Sequence, residues 1–260
     1  KKILYLLTCV GLCWSSCTNE VDEFIGNVEP STRSVSTALN ANLASLFTGG
    51  APTLTSAEIK EVNDAYAKMT SINCYRNIDE AVRNKTSYAG TIFLDDTYAS
   101  AYFRKGSLAF PPYGILASSM EHEFIHMYQR DVQGKKVDTD KEKRDTGMME
   151  FELAFYQGII RYIHAGYSWT FKGEDGDPSY QSLWTSGLTD PSLIPQYERE
   201  FQTYVASICA NGKPTSIDIN EFVKWSNIFG EYSRGYSGKG YKFGNYDYGT
   251  SCINSLLKLY

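Results

Sequence analysis

Apolar residues recur every three or four positions over most of this chain, so helices dominate the expected structure. Leu39, Leu43, Leu46 and Phe47 keep that spacing, and Thr55-Ser56-Ala57-Glu58 is a capping box that opens a helix running to about Met69. A shorter helix is expected from Asn77 to Lys85. Strand signals replace it further on. Gly90-Thr91-Ile92-Phe93-Leu94, a turn at Asp95-Asp96, and Ala99 to Arg104 with Tyr102 and Phe103 read as a β-hairpin or two nearby strands. Pro111-Pro112-Tyr113-Gly114 ends this stretch, and helical periodicity returns from Ile115 to about Arg130 through Leu116, Met120, Phe124, Met127 and Tyr128.

Beyond that helix the chain is polar from Asp131 to Asp145, a solvated loop, before a second strong helix from about Thr146 to Ala165. A Gly- and Asp-rich loop over Gly173 to Pro178 leads to a helix from about Pro191 to Ala210, stopped by Asn211-Gly212. Asp175-Gly176-Asp177 lacks the spaced acids of a calcium loop and reads as a turn. The last helix expected runs from Asp218 to Tyr232, with Asp218 and Glu221 as its capping pair, and the stretch to Tyr248 is dense in Gly and Tyr. The pattern is that of an α+β fold, mostly helical, with a small antiparallel sheet next to the helix that starts at Ile115.

The first residues follow another logic. Lys1-Lys2, an apolar run from Ile3 to Leu12 and the small residues Ser15-Ser16 match the three zones of a secretory signal, and the run is too short to span a bilayer. The end of the signal resembles a bacterial lipobox, with Ser16 at −1 and Cys17 as the residue that would receive lipid; Trp14 stands at −3, where Leu is typical. The stretch after it, Thr18 to about Ser36, is acidic and turn-rich and suits a tether. The expected organisation is a signal over 1–16, a lipid-anchored tether over 17–36 and one domain over 37–260. That domain would be exported and held at the membrane through its N-terminal lipid alone, in the periplasm or on the cell surface. The formal charge of −5, with no basic cluster interleaved with aromatics, argues against nucleic acid as a partner. Cys74, Cys209 and Cys252 are widely spaced without a CxxC, so buried free thiols are expected and a cysteine-zinc site is not.

One pentapeptide changes the functional picture. His122-Glu123-Phe124-Ile125-His126 is an HExxH motif on the helix begun at Ile115, and it uses two of the three histidines in 260 residues. Residues i and i+4 lie one above the other on a helix, so both imidazoles can reach a single Zn²⁺, with Glu123 beside it as a general base for water. Catalytic zinc normally takes three protein ligands, so a third is required. The metzincin arrangement is excluded because Gln129 and Val132 stand where Gly and His would be. The next helix offers Glu150 and Glu152. Glu152, 26 positions after His126, shares its face with Met148, Met149, Phe155, Tyr156, Ile159, Ile160 and Ile163, and an acid pointing into a core needs a partner or a metal. Glu150 shares a more mixed side with Leu153, Ala154, Gln157, Arg161 and His164. Burial therefore favours Glu152 as third ligand, with Glu150 as the alternative.

HExxH followed by Tyr128-Gln129 and later by Glu150-Phe151-Glu152-Leu153-Ala154 resembles the gluzincin class of zinc metallopeptidases, and in particular the metalloprotease lipoproteins exported by some Gram-negative bacteria. The resemblance covers roughly Gly90 to Ala165. It lacks the usual Asn-Glu-x-x-x-Asp form of the thermolysin-like second motif, since Tyr156 lies four positions after Glu152. It implies a zincin-like domain, Zn²⁺ as cofactor, and a peptide or protein substrate lying against a sheet edge beside the motif helix. Zinc held by His122, His126 and Glu152 would then serve peptide-bond hydrolysis, with Glu123 as base and a tyrosine such as Tyr156, or one from Tyr236 to Tyr248, as donor to the oxyanion. The competing class is a non-catalytic surface lipoprotein that binds glycan or protein through its tyrosine-rich loops on a zincin scaffold.

Overall fold

The computed structural model describes residues 38–135, 143–164, 188–210, 212–241, 243 and 252–260. The expected signal, the Cys17 lipidation site, the tether and the Gly173 to Pro178 loop lie outside them. Three helices come first: α1 (Ala41–Leu46), α2 (Ser56–Ser71) and α3 (Asn73–Lys85). The capping box forms as the sequence requires: Thr55 N–H donates to Glu58 Oε2 at 2.6 Å, and Glu58 N–H donates to Thr55 Oγ1 at 3.3 Å. Helix α3 starts earlier than its periodicity suggests, at Asn73, and buries Cys74, Tyr75, Ile78 and Val82.

Three strands follow, β1 (Ile92–Leu94), β2 (Tyr102–Arg104) and β3 (Ser107–Phe110). The expected hairpin of β1 with β2 does not form, and the sheet is mixed where an antiparallel one was expected. Both strands pair with β3: Ile92 lies opposite Leu108 in a parallel ladder, and Phe103 lies opposite Leu108 in an antiparallel one. The reason is local. Lys105 and Gly106 both have positive φ, 51° and 77°, which is the twist a two-residue hairpin needs, so the chain reverses there and not at Asp95-Asp96. Asp95 instead accepts from Thr97 N–H at 2.8 Å and from the Tyr102 hydroxyl at 2.5 Å. A Cβ at Gly90 would lie 2.2 Å from Gly106 O, so only glycine lets the entry to β1 pass this close to the turn.

Next comes the motif helix, α4 (Ala117–Met127), continued by a π-helical turn over Tyr128–Val132. Helix α5 (Lys143–His164) then crosses it. From residue 147 to residue 163 every α5 side chain is buried except Glu150 and Arg161, so the helix is enclosed nearly all round and forms the centre of the molecule. On its other sides pack α6 (Ile194–Ile208), α7 (Ile219–Tyr232) and α8 (Ile253–Leu257), where Phe151, Phe155, Phe201, Phe222 and Trp225 interlock. The two-residue strands β4 (Cys209–Ala210) and β5 (Lys213–Pro214) form a minor hairpin. Asp218 caps α7 as expected, accepting from Asn220 N–H at 2.8 Å and Glu221 N–H at 3.3 Å. Cys74, Cys209 and Cys252 form no disulfide; Cys74 and Cys252 are buried as expected and Cys209 is only half-buried, and among the described residues no helix is long and apolar enough to cross a membrane.

Candidate metal centre

Helix α4 turns Phe124 and Met120 into the core, with the Phe124 ring 6.1 Å from that of Tyr66 on α2. That anchoring sends His122 and His126 toward α5. Their rings are 4.7 Å apart at 79°, and the two Nε2 atoms approach to 3.1 Å. The i, i+4 relation predicted from HExxH thus brings both nitrogens to one point.

The third member of the group comes from α5, and it is Glu150. Its Oε1 lies 3.2 Å from His126 Nε2 and its Oε2 lies 3.7 Å from His122 Nε2. Among the described residues His122, His126 and Glu150 form the one cluster whose ligand atoms could share a metal ion. Two nitrogens bound to one tetrahedral zinc at about 2.0–2.1 Å sit roughly 3.3 Å apart. The 3.1 Å between the two imidazole nitrogens matches that spacing, and the Glu150 oxygens, one 3.2 Å from His126 and the other 3.7 Å from His122, stand close enough for the carboxylate to complete the set.

Glu152, the residue preferred from sequence, points away from the imidazoles. Its burial is complete, as expected, but ordinary partners satisfy it. Lys135 Nζ lies 2.7 Å from its Oε2, Gln129 Nε2 donates to the same oxygen at 3.1 Å, Cys252 N–H donates to Oε1 at 3.0 Å and the Cys252 thiol donates to Oε2 at 3.1 Å. Three of these four bonds come from residues that sequence reasoning did not connect with the site. Lys135 belonged to a supposed solvated loop, and Cys252 is 100 positions away.

Electrostatics divides the cluster into two kinds of group. Burial alone would lower the His126 pKa, but the Glu150 charge and hydrogen bond, then Glu123 and Gln129, outweigh it and hold His126 above its ordinary value. Burial likewise acts to raise Glu150, and His126, His122 and Tyr236 overcome it and keep the carboxylate ionised. Burial and the charge on His126 depress His122 to about 4. Without a metal the cluster therefore favours a proton on His126 and a neutral His122, and a cation bound there would have to displace that proton.

Glu123 is buried, and its Oε1 lies 4.0 Å from His122 Nε2. Burial, aided by Glu150, pushes its pKa up to about 7 against the pull of His126 and a hydrogen bond from the Phe103 backbone N–H. A carboxylate tuned to neutrality is suited to taking and returning a proton. The Phe103 contact also borders the site with β2, an outer strand of the sheet. Arg130, whose guanidinium carbon lies 4.3 Å from the Phe103 ring centroid, clamps that strand to the π-turn and pairs with Asp131 at 2.5 Å.

Tyr156 cannot serve as the hydroxyl donor proposed from sequence. It is fully buried, its ring lies edge-on to Tyr75 at 6.3 Å, and its hydroxyl faces Cys74 on α3. Among the described residues of the Gly- and Tyr-rich stretch, Tyr236 meets the cluster: its hydroxyl donates to Glu150 Oε2 at 3.0 Å. Phe229 and Tyr241 hold its ring, at 5.0 and 5.4 Å. No protein-family model matches the chain, no curated protein matches it, and no solved structure matches it. The functional reading therefore rests on these side chains and their geometry.

Proposed function

We propose that the protein is a zinc-dependent peptide-bond hydrolase of gluzincin-like chemistry, with His122, His126 and Glu150 as the residues that would hold the ion. The observation that carries this reading is the convergence of two Nε2 atoms and one carboxylate within 3.7 Å of one another, with the buried Glu123 carboxylate alongside. When bound, zinc supplies Lewis acidity, which polarises a carbonyl and makes water acidic near neutral pH.

The remaining work falls to the chain. Glu123 accepts the proton of the attacking water on its carboxylate and delivers it to the leaving amine, a role its buried place beside His122 suits. The Tyr236 hydroxyl lies 3.0 Å from Glu150, and turning its one proton from Glu150 to the oxygen that gains charge would supply the donor. The outer edge of β2 beside Glu123 offers backbone groups to an extended peptide. Among the described residues three side chains could hold the ion, and a set of three is the number used by hydrolytic zinc sites, where water takes the fourth place. Export as a lipoprotein through Cys17 completes the proposal and rests on the signal pattern alone.

The test is zinc analysis together with cleavage of a peptide library by the protein and by Glu123→Gln. Zinc at one equivalent in both, with hydrolysis by the parent and a loss of about 10³-fold in the variant, is expected. Equal hydrolysis by the variant would remove Glu123 from the mechanism, and absence of zinc from both would remove the metal.

A further inference from the structure

Gln129 occupies the gap between the second histidine and the buried acid of α5. Its Oε1 lies 2.9 Å from His126 Nδ1, while its Nε2 donates to Met149 O at 3.0 Å and to Glu152 Oε2 at 3.1 Å. A primary amide has one accepting end and one donating end. With a carbonyl and a carboxylate both demanding donors, the NH₂ must face α5 and the carbonyl oxygen must face the imidazole. An oxygen there can only accept, so Nδ1 has to carry a proton. The nitrogen left to bind a cation is Nε2, the atom that already faces His122 and Glu150.

The acid that orients Gln129 is itself fixed from two distant parts of the chain. Lys135 Nζ reaches it at 2.7 Å just beyond the π-turn, and Cys252, at the start of α8, supplies both its backbone N–H at 3.0 Å and its thiol at 3.1 Å. The π-turn makes this possible. Gln133 N–H donates to Tyr128 O, five residues back, and Lys135 N–H donates to Gln129 O, which carries Gln129 toward α5 and returns Lys135 to the same acid.

Building on the zinc reading above, we infer that Gln129, aligned by Glu152, is a positioning residue that presents His126 Nε2 to the metal. Partners of this kind set ring orientation and ligand basicity, and their loss weakens metal binding by about 10- to 100-fold. Gln129→Met keeps a side chain of similar length and removes the amide that faces His126.

The experiment has two readouts. Zinc affinity, measured by competition with a chromophoric chelator, is expected to fall about 10- to 100-fold in Gln129→Met. In ¹⁵N-labelled protein without metal, at a pH alkaline enough for the ring to be neutral, the His126 proton is expected on Nδ1 in the parent and is expected to leave Nδ1 in the variant; three histidines make the ring signals assignable. Both changes together support the relay. An unchanged affinity, or an Nδ1–H that persists in the variant, overturns it. A parent protein that binds no zinc defeats the proposed function, and the proton signal in the metal-free protein still decides whether Gln129 holds the ring. Should Gln129→Met fail to fold, Glu152→Gln serves instead. It preserves shape but presents a second amide to Gln129, and the same pair of changes is expected in milder form; their absence overturns the relay equally.

Discussion

On the side of α5 that faces the motif helix, Glu150 is about a quarter exposed and its partners are two imidazoles and a tyrosine hydroxyl. On the other side, two residues along, Glu152 is wholly buried and bound by an ammonium, an amide, a backbone N–H and a thiol. The two acids illustrate opposite solutions to the same cost. Glu152 is neutralised and saturated by fixed donors, so it has no capacity left for a ligand, whereas Glu150 faces groups that exchange a proton for a cation. Burial signals that an acid has a partner; it does not say that the partner is a metal. Another buried acid sharpens the contrast. Glu198 on α6 accepts from the Tyr162 hydroxyl at 2.5 Å through Oε2, while its Oε1 has no hydrogen-bond partner among the described residues.

Exchanging the two α5 acids for alanine is the most severe way to break this comparison. Glu150→Ala is expected to lower zinc affinity by more than about 100-fold, beyond what loss of an outer partner causes, while thermal stability of the metal-free protein changes little. Glu152→Ala is expected to leave Lys135 buried without its carboxylate and to lose roughly 3–5 kcal/mol of folding stability in denaturant titrations. If zinc affinity falls more in the folded Glu152 variant than in the Glu150 variant, the assignment of the ligand is reversed.

Tyr236→Phe comes next in size. It removes the hydroxyl that meets Glu150, and a drop of about 10- to 100-fold in kcat with KM nearly constant is expected if that group donates to the developing charge. A rise in KM alone would give Tyr236 a binding role only.

Proton linkage at the cluster gives a graded effect. Because His126 titrates above its ordinary value, zinc has to displace its proton at neutral pH, so apparent affinity is expected to rise by up to about tenfold per pH unit from 6 to 8. Calorimetry in buffers of different ionisation enthalpy should register the proton released. A pH-independent affinity over that range would mean that the site is already deprotonated.

The smallest effect concerns Glu198, whose pKa burial pushes up to about 8 in spite of the Tyr162 hydrogen bond and Arg161. A carboxyl raised in the folded state stabilises fully below its unfolded value, about 4.3, and loses that contribution as pH climbs through the folded value. The unfolding midpoint should therefore decline between about pH 5 and 8, and Glu198→Gln should flatten the decline. An equal decline in that variant would assign it to other groups.

How much of this could be read in advance depends on the range of the interactions concerned. The capping box at Thr55, the Asp218 cap and the facing of His122 toward His126 follow from residues within one or two helical turns, and the sequence defined all three. The location of the third group on the next helix was legible too, down to a choice between two acids. That choice was not. It turned on Lys135 and Cys252, which reach Glu152 only once the π-turn has formed and α8 has docked. The strand pairing was hidden for a related reason: the turn at Lys105-Gly106 and the buried run Leu108 to Phe110 place β3 between two segments that look like partners of each other.

Local periodicity and capping chemistry, acting over three to five residues, determined the helices, the register of the HExxH pair and the kind of chemistry its side chains can perform. Which acid faces them, which tyrosine reaches that acid and what fixes the far side of His126 were settled by tertiary packing, because each depends on donors brought together from segments tens of residues apart, which short-range propensities cannot encode.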